Sequence, residues 1–161
     1  MPRIAPCLWF DDDAEQAADF YVGIFPNSRI VQVLRYGEAG HEIHGRPAGS
    51  VMTVDFELDG QPFTALNGGP MFKINEAISL QVECATQAEV DHYWDKLSAG
   101  GDPQAQQCGW LKDKFGVSWQ IVPTVLRRLL AADAARFERV MQALLQMKKP
   151  DIAALERAYA G

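Results

Sequence analysis

Apolar and polar positions alternate along several short stretches of this chain and recur at helical spacing along others, and the two patterns come in a repeated order. Residues 4–10, Ile-Ala-Pro-Cys-Leu-Trp-Phe, read as a short apolar strand, with Pro6 suited to an edge. Ala14, Ala17, Ala18, Tyr21 and Phe25 then recur as one stripe of a helix that ends before Pro26-Asn27. Asp12 with Glu15 predicts a capping box at its start. Arg29–Tyr36 reads as a strand, residues 37–49 as a glycine-rich loop, and Ser50–Leu58 with Pro62–Leu66 as a hairpin about Asp59-Gly60. Asn67-Gly68-Gly69-Pro70 interrupts the pattern and predicts a link between two halves.

The second half repeats the order. Ala77–Glu83 alternates, with Ile78, Leu80 and Val82 on one face and Ala77, Ser79 and Gln81 on the other. Thr86 and Glu89 form a capping box ahead of a helix striped by Val90, Tyr93, Trp94 and Leu97, which Gly100-Gly101 ends. Residues 108–123 then predict a hairpin turning at Asp113–Gly116. Its second arm sets Val117, Trp119 and Ile121 on a core face and Ser118, Gln120 and Val122 on the other. Phe20-Tyr21 and Tyr93-Trp94 fall at matching places in the paired helices, which supports a duplicated unit. The predicted fold class is α+β: two βαβββ modules at residues 1–70 and 71–123, and a helical extension at 124–161. Val125, Leu126, Leu129 and Leu130 stripe the first tail helix. Asp133 begins a second, bearing Phe137, Val140, Met141, Leu144 and Leu145, and Pro150-Asp151 begins a third with Ile152, Leu155 and Tyr159. So apolar a tail packs on its own domain or on a second subunit, and a homodimer is the expected assembly.

Composition narrows the function. A net charge of −6 argues against nucleic acid or an anionic membrane as partner. No apolar run has membrane-spanning length, and the N-terminus lacks a signal-peptide pattern, so the expected location is cytoplasmic. Three scattered cysteines form neither a disulfide framework nor a zinc motif. His41-Glu42-Ile43-His44 lacks the helical spacing of a zinc-protease motif and reads as solvated or as an opportunistic metal binder. His92 falls off the apolar stripe of its helix and reads as exposed. Cys7 and Cys108 are thiols with no histidine on their own strands, which favours small core residues over nucleophiles.

The runs Pro6–Phe10, Phe20-Tyr21, Gly49–Val54, Phe63–Gly69, Asn75–Leu80 and Cys108–Pro123 resemble the vicinal oxygen chelate superfamily, which includes glyoxalase I, extradiol dioxygenases and bleomycin-resistance proteins. They are most similar to its PhnB-like group, often labelled 3-demethylubiquinone-9 3-methyltransferase-like. The resemblance implies a cupped mixed sheet built from two modules, a pocket inside it, and in chelating members a divalent metal. The corresponding ligand places fall near Ala5 or Cys7, near Ala65 or Asn67, at Ala77 and at Gln120. These residues offer no set of imidazoles and carboxylates, so no metal and no cofactor is expected. A nucleotide site of the Rossmann type would need a glycine-rich turn between strand and helix, and none is present, which leaves methyltransferase activity unsupported. The expected pocket set is Cys7, Trp9, Asn67, Phe72, Ser79, Gln81, Trp110, Ser118 and Gln120. Asp55 and Glu57 would join it if their strand sat one residue out of the expected register. The expected function is metal-independent binding of a small molecule. The alternatives are a metal-dependent lyase, isomerase or dioxygenase, and a partner-binding protein whose cup is filled by side chains.

Overall fold

A computed structural model describes all residues from 1 to 161, and the chain divides into two compact units, Met1–Ile74 and Asn75–Gly161. The first contains β1 (Cys7–Phe10), α1 (Ala14–Val22), β2 (Arg29–Arg35), the one-turn α2 (His41–His44), β3 (Val51–Leu58) and β4 (Gln61–Asn67). The second contains β5 (Ser79–Cys84), α3 (Gln87–Ser98), a 3₁₀ turn at Pro103–Ala105, β6 (Trp110–Lys112), β7 (Ser118–Pro123), α4 (Val125–Leu130), α5 (Ala134–Leu145) and α6 (Ile152–Ala160).

In the first unit the sheet order is β1-β4-β3-β2, with β1 parallel to β4 and the other pairs antiparallel. Alternation sends Leu8, Phe10, Val54, Phe56, Leu58, Phe63 and Ala65 to one face, where they are buried with α1. Ala14, Ala17 and Ala18 are fully buried, and their small side chains let α1 lie close to the sheet. Tyr21, Phe56 and Phe63 form a stacked aromatic row, with ring centroids 6.3 and 5.4 Å apart. The β3–β4 turn at Asp59-Gly60 has positive φ at both residues, the geometry that Asp-Gly favours in a two-residue hairpin.

Two local expectations change here. The capping box at Asp12 and Glu15 does not form: Asp13 occupies the cap position of α1 and makes no side-chain cap bond. The cap comes instead from Asn67, whose Oδ1 accepts the Ala14 N–H at 2.8 Å. The segment 41–44, expected as loop, closes one helical turn between Gly40 and Gly45, both in the left-handed region.

In the second unit β7 is central in the order β5-β7-β6, parallel to β5 and antiparallel to β6. This sheet has three strands where a full repeat has four. The missing strand's place in the chain holds Asp102 and Pro103, which form a capped 3₁₀ turn instead. The core face carries Val82, Cys84, Leu111, Trp119 and Ile121, buried together with Val90, Trp94 and Leu97 of α3. Ile78, expected to join that face, precedes β5 and is 76% exposed. The Thr86–Glu89 capping box forms as the sequence predicts.

The tail helices pack within this unit. Leu129, Val140, Leu144 and Leu155 make a buried cluster flanked by Cys108, Val125, Met141 and Tyr159. Asp133 and Asp151 cap α5 and α6. The tail is also tied to the sheet end by backbone bonds, because Met147 and Lys148 carbonyls accept the Cys108 and Gly109 N–H groups. Gln87 fixes the start of α6 by donating to the Pro150 carbonyl and accepting from the Ile152 N–H.

The hairpin of β6 and β7 is held by Asp113, which is buried. Its carboxylate accepts the Phe115 and Val117 N–H groups and, at 2.8 Å, the Trp119 indole N–H. Removing it leaves these donors orphaned in the interior. Asp113→Ala is therefore expected to lower unfolding free energy by about 3 kcal/mol, measured by urea denaturation, and Asp113→Asn by less.

Candidate functional site

The face of the first sheet opposite α1 is set by the same alternation. Cys7 pairs with Thr64 and Trp9 with Leu66 across β1 and β4, while Asp55 lies opposite Thr64 on β3. Cys7, Trp9, Thr64, Leu66, Asp55 and Glu57 thus share one open face, and the two acids are there as the sequence allowed. The Thr64 hydroxyl donates to Asp55 at 2.6 Å, and Glu57 pairs with Arg29 at 2.9 Å.

Asn67 is not on that face. Parity puts it with Phe63 and Ala65 on the helix side, where it is 3% exposed. Both polar atoms of its carboxamide are engaged: Oδ1 caps α1, and Nδ2 donates to the Val51 carbonyl at 3.1 Å. Asn67 therefore serves as a structural tie rather than as a group free to meet a ligand.

Beyond β4 the chain folds over the end of the sheet. Gly68 and Gly69 donate their N–H groups to the Phe10 and Asp11 carbonyls, and the Trp9 indole N–H donates to the Gly69 carbonyl at 2.9 Å. Trp9 lies flat on Gly68, where a Cβ would come within 2.3 Å of the indole ring. Only glycine permits that approach. Phe72, 58% exposed, meets the indole edge-on with centroids 5.0 Å apart. Across from it, the Tyr36 hydroxyl donates to the Asn67 carbonyl at 2.6 Å, and the Tyr36 ring lies 4.6 Å from that of His44.

Beside these groups lies an open cavity of about 720 Å³ lined by Trp9, Tyr36, Ile43, His44, Gly45, Arg46, Leu66, Gly68, Gly69, Pro70 and Met71. Its size falls in the range of small-molecule sites, roughly 300–1,000 Å³. Of the expected pocket residues Trp9 alone lines this cavity, and Tyr36, His44 and Arg46 were not in the expected set because a glycine-rich loop has no period from which a face can be read. The left-handed Gly40 and Gly45 that bracket α2 are the local signal that this loop is shaped.

In the second unit the face opposite Trp119 gathers the other expected residues. Ser79, Gln81, Ser118, Gln120 and Trp110 sit in register across β5, β7 and β6, and Gln120 Nε2 donates to the Ser79 hydroxyl at 2.8 Å. Ser118 is 1% exposed, and its hydroxyl has no partner. Lys112, on the same row, pairs with Glu76.

The donors at the superfamily's ligand places do not suit a divalent cation. Desolvation, and then the nearby Asp55 carboxylate, push the Cys7 thiol above its ordinary value. Asn67 is spent on α1 and β3, Ala65 and Ala77 offer no donor atom, and Gln120 contributes a lone amide oxygen. No group of three or more His, Cys, Asp or Glu side chains is arranged to hold a metal ion.

The mixed α+β architecture, with sheets of four and three strands, is that of the glyoxalase/bleomycin-resistance fold of the vicinal oxygen chelate superfamily. Residues 2–122 match the family described as 3-demethylubiquinone-9 3-methyltransferase, and the chain belongs to that family. It is similar to the PhnB protein from Bacillus cereus, whose name carries the same methyltransferase label. The two are 34% identical with a TM-score of 0.64, over 76% of this chain and all of the other. Protein PA1353 from Pseudomonas aeruginosa superposes with a TM-score of 0.60 at 19% identity, over 76% of this chain and 98% of that one. The fosfomycin resistance protein FosX from Mesorhizobium loti gives 0.55 at 15% identity, over 81% and 98%. These last two share the fold alone. No curated protein matches the chain.

Three outcomes follow from the site geometry. Asn67→Ala orphans a buried N–H and a buried carbonyl and should cost about 2 kcal/mol of stability in denaturant unfolding. Gly68→Ala should displace the Trp9 indole with a smaller loss of stability, visible as a shift in its indole N–H resonance. Cys7 should alkylate more slowly at pH 7 than free cysteine, because its raised pKa leaves less thiolate, with a rate midpoint on the alkaline side of the ordinary thiol value. Asp55→Asn should move that midpoint partway back, since the desolvation remains. Site-resolved mass spectrometry distinguishes Cys7 from buried Cys84, whose thiol is pushed up to about 11.

Proposed function

We propose that this chain is a small-molecule-binding protein of the glyoxalase/bleomycin-resistance superfamily that takes its ligand in the cavity of the first unit without a divalent metal. The single observation that supports this is the cavity itself, which combines aromatic walls, Trp9 and Tyr36, with a small number of fixed polar groups. The walls are pinned from behind by bonds from Trp9 to the Gly69 carbonyl and from Tyr36 to the Asn67 carbonyl, so they are shaped before a ligand arrives. Phe72 and Cys7 border the same open face. The second unit presents its own neutral face of donors and acceptors in Ser79, Gln81 and Gln120, with Trp110 beside Gln120.

The alternative, a metal-dependent lyase, isomerase or dioxygenase, needs a set of ionised or imidazole donors that Cys7, Asn67 and Gln120 do not supply. The methyltransferase label of the family is not carried over to this chain. Neither of the turns from a strand into α1 or α3, Asp11-Asp12-Asp13 or Ala85-Thr86, contains a glycine to admit a nucleotide cofactor, and the glycine-bearing turn after β2 leads only into the single helical turn of α2.

The test is a fragment screen by ligand-observed NMR on protein stripped with EDTA, repeated with added zinc, manganese and nickel. Hits should bind the stripped protein, keep their affinity within twofold when metal is added, and weaken at least tenfold in Trp9→Ala. Hits that appear only with metal, together with stoichiometric metal in protein purified without a His tag, would establish the alternative.

A further inference from the structure

We propose that the ligand of the first unit's cavity carries a carboxylate, and that the guanidinium of Arg46 receives it while the ligand's aromatic or apolar body lies against Trp9 and Tyr36. The inference deepens the reading of this cavity as a ligand site and rests on it. Its starting point is an unsatisfied cation. The Arg46 side chain is only 20% exposed, its Nε is buried without a partner, and its guanidinium donates no hydrogen bond within the protein. Its one ionic neighbour, Asp11, stands 3.9 Å from Nη1 with a carboxylate that is itself 59% exposed. A guanidinium presents five donors in a rigid fork, and a buried Nε–H left without an acceptor is costly unless something in the working state supplies one.

The loop holds Arg46 in this position. Gly40 and Gly45 bracket α2 with left-handed φ values of 77° and 63°. The Arg46 N–H then donates to His44 Nδ1 at 2.9 Å, which leaves the ring proton on Nε2, 3.1 Å from the Ala39 carbonyl that accepts it. Arg46 is the one Asp, Glu, Lys or Arg side chain that lines this cavity, while Asp11 stands 3.9 Å from its Nη1 and Asp12 and Glu15 line the second cleft that Arg46 borders.

The remaining donors decide which anion. The Trp9 indole N–H and the Tyr36 hydroxyl proton are both spent on main-chain carbonyls, so neither is free to share the charge. One planar fork with no second cation matches a planar, singly charged carboxylate bidentately. A phosphoryl dianion would call for further positive groups.

Matched probe pairs test this by calorimetry on metal-stripped protein: benzoate against benzamide, and indole-3-acetate against indole-3-acetamide, with phenyl phosphate as a third arm. Each acid should bind at least tenfold more tightly than its amide. Arg46→Gln should abolish that gap with an unchanged melting temperature, and Arg46→Lys should retain part of it. Amides that bind as well as the acids, or an acid preference that survives Arg46→Gln, would overturn the anion assignment and leave the ligand site standing. Tighter binding of phenyl phosphate than of benzoate would overturn the choice of carboxylate. If no acid and no amide binds, the ligand-site reading falls and this inference falls with it.

Discussion

The carboxamide of Asn67 ties together the parts on which the first unit's open face depends. With one oxygen it caps α1, and with its NH₂ it holds the start of β3, while its own carbonyl receives the Tyr36 hydroxyl. The next two residues bind the end of β1 and the Trp9 indole. Residues 9–14, Tyr36 and the start of β3 therefore meet at Asn67-Gly68-Gly69. An aliphatic residue at 67 would leave a helix terminus and a strand end unsatisfied at once, and a side chain at 68 would occupy the place of the Trp9 ring. The cavity is shaped by these ties more than by the residues that line it.

The second unit has a comparable centre in Asp113, which is buried and collects three donors from its own hairpin. In both units one polar side chain on the buried side fixes the end of the sheet and releases the opposite face from structural duty. The second unit's open face offers Gln120 bonded to Ser79, while the first unit's carries Thr64 bonded to Asp55 and Glu57 paired with Arg29. Against that background Arg46 stands out, because its Nε–H is buried without an acceptor and its only ionic neighbour, Asp11, is 3.9 Å away. The chemistry of the donors favours direct recognition of a ligand over chelation of a metal between protein and substrate.

Much of the fold was legible in the chain because its strands and helices are strongly periodic. Trp119 could be assigned to the core from its alternation with Ser118 and Gln120, and the Thr86–Glu89 box marked the start of α3 within a residue. The failures have physical causes. Asp12 and Glu15 carry the local signature of a cap, but a tertiary bond from Asn67, far along the chain, satisfied the helix first. The same bond requires Asn67 to face the helix, and parity counted from β4 would have placed it there. Ile78 lies just outside β5, where alternation no longer governs exposure. The cavity's polar groups were the least legible. Tyr36, His44 and Arg46 reach it through a loop whose path is set by left-handed glycines and by a side-chain bond to the backbone, neither of which leaves a hydrophobic period.

The most direct test of the account is a chemical-shift titration of isotopically labelled, metal-stripped protein with an aromatic carboxylate. The account predicts that the largest perturbations fall on the Trp9 indole N–H, the Gly68 and Gly69 amides, and the amide and Nε–H of Arg46. Perturbations confined to Ser79, Gln81 and Gln120, or absent until a divalent metal is added, would contradict it.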